Sequence, residues 1–346
     1  MEIDQKIQDL AFKKYVSENI QVPLYLNVHA NYFETEKEDQ FLDHLLNYQQ
    51  KGLDLANIVI EISEQQFSGD LDLLTHTFKY LKTLGVKLAI DDLGTGASNL
   101  DRISLMEPDI LKVNLHALQS ESISTNYHSI IYSLSLLARK VGGAELLFAE
   151  IITNYHFHYA WRNSGRYYQG SFLSPSASDF VEMNILKERF RKDIQQFILV
   201  ERKKLTAKFQ LAKSLNLQIQ GKWKQIKKNR ELDVVIDSLA KEMEHIFFRI
   251  YVTDEDGFQK TVNFIHVNKN WMWDKSAKGK NWSWRPYFIE NVIRMKEEQS
   301  GILSDIYNDI ETGERIRTFS YPLDESLYLF MDISPMYLDE HEDLLW

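Results

Sequence analysis

The sequence predicts an α/β fold: a (β/α) barrel, then a long helix, then a smaller α+β domain. Three observations predict it. Six apolar runs with polar residues at their ends alternate with helical patterns over the first 176 residues. Barrel strands present side chains at their carboxyl ends in this way. From 179 to about 230 no proline appears, and no glycine until Gly221, while apolar residues step by three or four, as along one helix face. Beyond about 231 the texture changes to short apolar runs broken by turn residues, which reads as strands joined by turns.

Taken in order, Ile3, Ile7, Leu10, Ala11 and Tyr15 have helical spacing, so the chain opens in a helix with no strand before it. A strand over 23–30 places Asn27 near its exit, and a helix follows around 37–51. The next strand, 57–64, carries Glu61 inside its apolar run and Glu64 just beyond it. A buried glutamate needs a cation or hydrogen-bonding partners, and an inward salt bridge would satisfy it equally well. Residues 71–84 are helical. The strand 86–92 then ends in Asp91 and Asp92, before the glycine-rich turn Gly94-Thr-Gly96. Adjacent carboxylates repel unless a proton or a cation neutralises them, and oxygen-rich clusters favour Mg²⁺, Mn²⁺ or Ca²⁺. Taken alone, Asp-Asp-x-Gly reads as a solvated acidic turn; its neighbours point elsewhere.

The strand 108–114 carries Lys112 among aliphatic residues, placed to hold an anion or to snorkel at a barrel rim. A helix over 127–140 leads to the strand 145–151, with Glu150 at its end. A last helix precedes the strand 167–174, where Gln169 stands before a glycine. Six strands are too few to close the usual eight.

Composition narrows the function. With 346 residues the chain is long enough for two domains. A net charge of −10 argues against nucleic acid as a partner but not against a small anion held through metal. The absence of cysteine excludes disulfides, thiolate metal sites and cysteine nucleophiles, and is compatible with the cytosol. No apolar run approaches membrane-spanning length and no signal-peptide pattern opens the chain. A cytoplasmic protein with no membrane contact is expected.

These residues resemble the EAL family of cyclic di-GMP phosphodiesterases and receptors. Ile60-Glu-Ile-Ser-Glu64 is similar to the family's strand with paired glutamates. Asp91-Asp-Leu-Gly-Thr-Gly-Ala-Ser-Asn-Leu100 is similar to its metal-binding loop, with leucine where phenylalanine is usual. Leu111-Lys-Val-Asn114 resembles its Lys-Ile-Asp strand, Ala149-Glu-Ile-Ile-Thr153 its Ala-Glu-Gly-Val-Glu segment, and Gln169-Gly170 its Gln-Gly strand. Linked motifs in the right order cover residues 1 to about 176, and the whole layout resembles the YkuI type of the family, in which a long helix and a PAS-like domain follow.

The resemblance implies an EAL-type, TIM-like barrel and a role for each position. Asn27, Glu61 and Asp91 would bind a first metal, and Asp92 a second metal or the attacking water. Lys112 would assist that water or the phosphate, and Glu150 would complete the cluster. Glu64 would brace the loop after Asp92, and Gln169 would contact the ligand. Two cations would activate water and neutralise charge on the phosphorus oxygens, giving linear pGpG. Three departures are expected to impair this. The strand bearing Glu-x-Leu-x-Arg is absent, taking a metal-binding glutamate and a phosphate-facing arginine with it; Asn114 stands for an aspartate, and Thr153 for a glutamate. The expectation is a degenerate EAL protein that binds cyclic di-GMP with weak or no hydrolysis. The alternatives are an active phosphodiesterase and a regulatory scaffold that binds no nucleotide.

The expected domains are 1–178, a connector 179–230 and 231–346. In the connector, Met183, Leu186, Phe190, Ile194, Phe197, Leu205, Phe209, Ala212, Ile219, Trp223 and Ile226 form an apolar stripe. One long helix or a helix pair fits, and the stripe either joins two copies in a homodimer or packs on a domain. The last domain resembles PAS-like or Cache sensors. There Arg285 would clamp the carboxylate of a small-molecule ligand, with Tyr287, Tyr307 and Asp332 nearby. An aromatic core with Arg285 in a structural ion pair is the competing expectation.

Overall fold

The structure is a computed structural model, and it describes residues 2–34, 37–63, 71–93, 100–119, 125–140, 143–226, 231–267, 270–285, 288–341 and 344. Two compact units are present, Met1–Ile194 and Gln195–Trp346.

In the first unit helix α1 (Glu2–Ser17) precedes strand β1 (Leu24–Asn27). Helix α2 (Lys37–Gln50) and strand β2 (Ile58–Ser63) come next, then α3 (Leu71–Thr83) and β3 (Lys87–Leu93). The alternation continues through α4 (Leu100–Met106), β4 (Ile110–Asn114), α5 (Thr125–Lys140), β5 (Glu145–Ala149), α6 (Asn154–Arg162) and β6 (Gly165–Tyr168). The six strands form one parallel sheet in the order β1-β2-β3-β4-β5-β6.

Both faces of this sheet are covered, as an all-parallel sheet requires. Outward residues such as Ile60, Leu88, Ile90, Leu111, Val113 and Phe148 join the large core beneath the helices. Inward residues Val59, Ala89, Ile110 and Leu147 form a separate cluster, with Tyr25 and Tyr167 against it. The rings of Tyr25 on β1 and Tyr167 on β6 meet edge-on at 6.4 Å. Contact between the two outermost strands means that the sheet curls into a half-barrel.

The last strand is shorter and earlier than the sequence suggests, ending at Tyr168 rather than 174. Leu173 and Ser174 both donate backbone hydrogen bonds to Gly170 O, which turns the chain. Gly170 has φ +156°, and a Cβ there would lie 2.1 Å from Ile151 O. Only glycine admits that approach.

Helix α7 (Lys187–Ile226) is a single helix of 40 residues, which settles the choice between one helix and a pair. It begins later than 179, after turns in which Ile185 donates to Glu182 O and Lys187 to Asn184 O. Its stripe is divided among different tasks. Phe190 and Ile194 pack on the first unit's core, while Ala212, Ile219, Trp223 and Ile226 join the second unit's core. Leu205 and Phe209 are exposed.

The second unit continues with α8 (Leu232–Glu242), β7 (Phe247–Asp254), β8 (Asn263–Val267) and β9 (Asn270–Asp274). After α9 (Phe288–Glu298) come β10 (Ile302–Leu303), β11 (Tyr307–Asn308), β12 (Arg315–Ile316), β13 (Thr318–Pro322), β14 (Leu327–Ile333) and α10 (Pro335–Asp339). Six of the strands make an antiparallel sheet, β10-β13-β14-β7-β8-β9, and β11 and β12 make a separate hairpin. The buried α8 residues Val235, Ile236, Leu239 and Ala240 share a core with Phe247, Ile250 and Leu329. No helix among the described residues is long and apolar enough to cross a membrane.

Candidate metal centre of the half-barrel

Side chains alternate across a strand, so residues two apart share a face. The inward apolar layer holds Tyr25, Val59, Ala89, Ile110, Leu147 and Tyr167. One step further toward the carboxyl ends, the same alternation gives Asn27, Glu61, Asp91, Lys112, Ala149 and Gln169. Register pairs Asn27 with Glu61, whereas Glu61 stands beside Ala89 and Lys112 beside Leu147, so the row is stepped from strand to strand. Asn27, Glu61, Asp91 and Lys112 therefore share the inward face near the carboxyl ends of their strands, beyond an apolar floor.

Three of them touch. Lys112 Nζ donates to Glu61 Oε2 at 3.1 Å and to Asp91 Oδ2 at 2.9 Å. Glu61 is 4% exposed and Lys112 7%, so each ion is compensated where water cannot reach it. Burial alone would push the Lys112 ammonium down. The hydrogen bond to Asp91 and the charges of Glu61 and Asp91 outweigh it, and its pKa stands above the ordinary lysine value. The lysine is thus held by two carboxylates rather than snorkelling to the rim.

Asn27, Glu150 and Gln169 stand exposed at the neighbouring strand ends, with no bond to this triad among the described residues. Glu150 has φ +61°, a left-handed conformation that costs a non-glycine residue of order 1–2 kcal/mol. Backbone bonds hold it there: His156 Nδ1 donates to Glu150 O at 3.1 Å, and Ile151 N to Gln169 O at 3.0 Å. Glu64, Tyr287 and the side chain of Asp92 lie outside the described residues.

The two departures within the motifs have structural occupations of their own. Asn114 Oδ1 accepts from His116 N at 2.8 Å, starting the turn after β4. Thr153 is the N-cap of α6, its hydroxyl accepting from His156 N at 3.1 Å, a standard helix-starting arrangement.

The donors fit a hard divalent cation. Asn27, Glu61 and Asp91 offer amide and carboxylate oxygens from three consecutive strands, without sulfur or imidazole, which suits Mg²⁺, Mn²⁺ or Ca²⁺. Among the described residues no group of three or more histidines and acids gathers as a ready-made metal cage. Asn27, Asp92 and added oxygen ligands would have to complete the shell.

In the second unit Arg285 lies over the Trp282 ring, 4.5 Å from its centre, and Nη1 donates to Tyr251 OH at 3.5 Å. Its Nε is buried without a hydrogen-bond partner among the described residues. Among the described residues Arg285 forms no ion pair; its contacts are the Trp282 ring and the Tyr251 hydroxyl. Asp332 is bonded by Arg249, which interrupts the apolar run of β7 and which sequence analysis did not single out. Arg249 Nε donates to Asp332 Oδ2 at 2.6 Å, Nη2 to Asp309 Oδ1 at 2.6 Å, and Nη1 to Glu311 Oε2 at 2.7 Å. Tyr307 OH pairs with Thr318 Oγ1 at 2.6 Å, and Thr318 donates to Asp332 Oδ1 at 2.6 Å. Burial, reinforced by the Asp332 charge, pushes the Tyr251 and Tyr307 hydroxyls well up.

Comparison with known proteins agrees with this architecture. The EAL domain family matches residues 2–176, and the EAL-domain associated signalling protein domain matches residues 180–345. YkuI of Bacillus subtilis strain 168, an uncharacterized EAL-domain containing protein, is 40% identical over 347 aligned positions, covering 100% of this chain and 85% of YkuI. Its crystal structure, in complex with substrate c-di-GMP and calcium, superposes with a TM-score of 0.92 over 99% of this chain and 84% of that one. The cyclic di-GMP phosphodiesterase PdeA of Borreliella burgdorferi is 30% identical over 128 residues, covering 37% of this chain and 19% of PdeA. With its strand order, its oxygen-donor level and both halves matched, the chain belongs to the EAL family, in the form that carries the YkuI-type C-terminal domain.

Proposed function

We propose that the chain is a signalling protein that binds cyclic di-GMP through a divalent cation and hydrolyses it weakly or not at all. One observation carries the reading: an oxygen-donor set balanced by a buried lysine, at the carboxyl end of a parallel sheet, in a chain 40% identical to a protein solved with c-di-GMP and calcium. Asn27, Glu61 and Asp91 hold the cation, with Asp92 and Glu150 at its margin and Gln169 toward the nucleotide; Glu64 braces the loop after Asp92. Mg²⁺, Mn²⁺ and Ca²⁺ all suit these donors. When bound, the cation supplies charge neutralisation for the phosphate and a lowered pKa for a nearby water. Lys112 adds positive charge facing the phosphate, and the apolar floor closes the site from below. Weak turnover is supported by Asn114 and Thr153, whose side chains are committed to a turn and a helix cap.

The test is titration of the full chain with cyclic di-GMP in Ca²⁺ and in EDTA, beside Asp91→Ala. Binding that needs the cation and falls at least about a hundredfold in the variant is expected. Binding indifferent to both would leave the scaffold reading standing. In Mn²⁺, chromatography of the same samples should show little pGpG; rapid turnover abolished by Asp91→Ala would make the protein an active phosphodiesterase.

We further propose the domains 1–178, 179–230 and 231–346, a cytoplasmic location, and pairing of two copies through the exposed Leu205 and Phe209 of α7. The match boundaries at 176 and 180 support the first division. The last domain we read as a PAS-like or Cache-like sensor of a small carboxylate, held by Arg285 with Tyr287. The buried, unpaired Arg285 Nε supports this, because such a group is costly unless something completes it. A thermal-shift screen of small carboxylates should find a stabiliser whose effect vanishes in Arg285→Gln. A shift that survives the substitution would remove Arg285 from the site.

A further inference from the structure

Glu61 and Asp91 lie on β2 and β3, and Lys112 reaches them from β4. The inward β3 residue in register with Glu61 is Ala89, whose methyl group leaves the span from β4 to β2 clear. A carboxylate as buried as Glu61 requires a positive partner whenever it is charged. In this arrangement that partner is part of the chain.

We propose that Lys112 is a built-in counter-ion: its ammonium and the divalent cation are alternative partners of the same carboxylate pair, and Lys112 sets how tightly the cation is held. This rests on the cation reading of Glu61 and Asp91 given above. It goes further, assigning the lysine a role when no nucleotide or metal is bound. The fixed ammonium keeps two carboxylates on adjacent strands from repelling each other, so the site is assembled before a ligand arrives. A cation entering the same oxygens must work against a positive charge within hydrogen-bond reach of both. That repulsion lowers its affinity, and the release of the ammonium toward the site mouth couples cation binding to the placing of a positive charge where a phosphate would lie.

The experiment uses the full chain with Ca²⁺ alone. Lys112→Gln keeps a hydrogen-bond donor and removes the charge, while Lys112→Met removes both. Melting in EDTA and in Ca²⁺ is compared with Ca²⁺ affinity from calorimetry. Both variants should melt lower than the parent in EDTA, regain most of that loss in Ca²⁺, and bind Ca²⁺ at least about tenfold tighter. A variant unfolded in EDTA that folds on adding Ca²⁺ is the same result in stronger form. If the parent binds Ca²⁺ and the variants bind it no tighter, or stay unfolded in its presence, the counter-ion inference is overturned alone. If neither parent nor variants bind Ca²⁺, the cation reading falls, and this inference with it.

Discussion

Arg249→Met should lower the unfolding free energy of the second unit by about 3–5 kcal/mol, the usual cost of removing one partner from a buried ionic cluster. Arg249, Asp309 and Asp332 are each at most 3% exposed, so the carboxylates left behind cannot be rescued by water. Burial by itself would push the Asp309 carboxyl up. The hydrogen bond and charge of Arg249, with the Thr312 hydrogen bonds, outweigh it and hold the pKa below the usual carboxylate value. A depressed carboxyl pKa gives stability that is present above the unfolded value near 3.8 and is lost as pH falls through the folded one. The parent should therefore be flat in this respect from pH 5 to 8 and weaken below about 3.8. Denaturant melts of parent and variant across that range would check both statements. A loss under 1 kcal/mol would mean that the cluster reorganises around the missing arginine.

Gly170→Ala should be comparably damaging, for steric reasons rather than electrostatic ones. Its Cβ would meet Ile151 O at 2.1 Å, Ile151 N at 2.4 Å and Ile151 C at 2.6 Å. All three are backbone atoms, which cannot step aside as a side chain can. Ile151 is fully buried and its N–H donates to Gln169 O, so the strand ends that carry Glu150 and Gln169 must separate. A loss of about 3 kcal/mol or more is expected from the combined clash and strain. The amide exchange of Ile151 and Phe172, both bonded within this junction, should rise together. Unchanged protection there would place the strain elsewhere.

The half-barrel was legible because parallel strands buried on both faces give continuous apolar runs, and an ion interrupting such a run has few innocent explanations. Glu61 and Lys112 were found in this way, and they prove to bond each other. The same reasoning applied to Phe247-Phe-Arg-Ile-Tyr-Val252 would have found Arg249, which interrupts an apolar strand as Lys112 does. Antiparallel strands alternate polar and apolar residues as a matter of course, and the charge did not stand out. The partner that Asp332 bonds, Arg249, is 83 positions away in sequence, too far for spacing to reveal. The strands β10 and β11 have two residues each, too short for any period to register. The end of β6 was overrun because Phe172 and Leu173 are apolar. They pack on the first core from a turn rather than from a strand.

The strand orders of the two sheets impose different schedules on synthesis. In β1-β2-β3-β4-β5-β6 each strand pairs with the one made just before it, so the half-barrel can grow behind the ribosome through contacts close in sequence. In the second sheet β7, complete at Asp254, must wait for β14, which begins at Leu327. Until then Arg249 lacks Asp332, and β7 has no strand on that edge. The last twenty residues of the chain therefore close the second unit, and nascent chains halted short of them are its most aggregation-prone form.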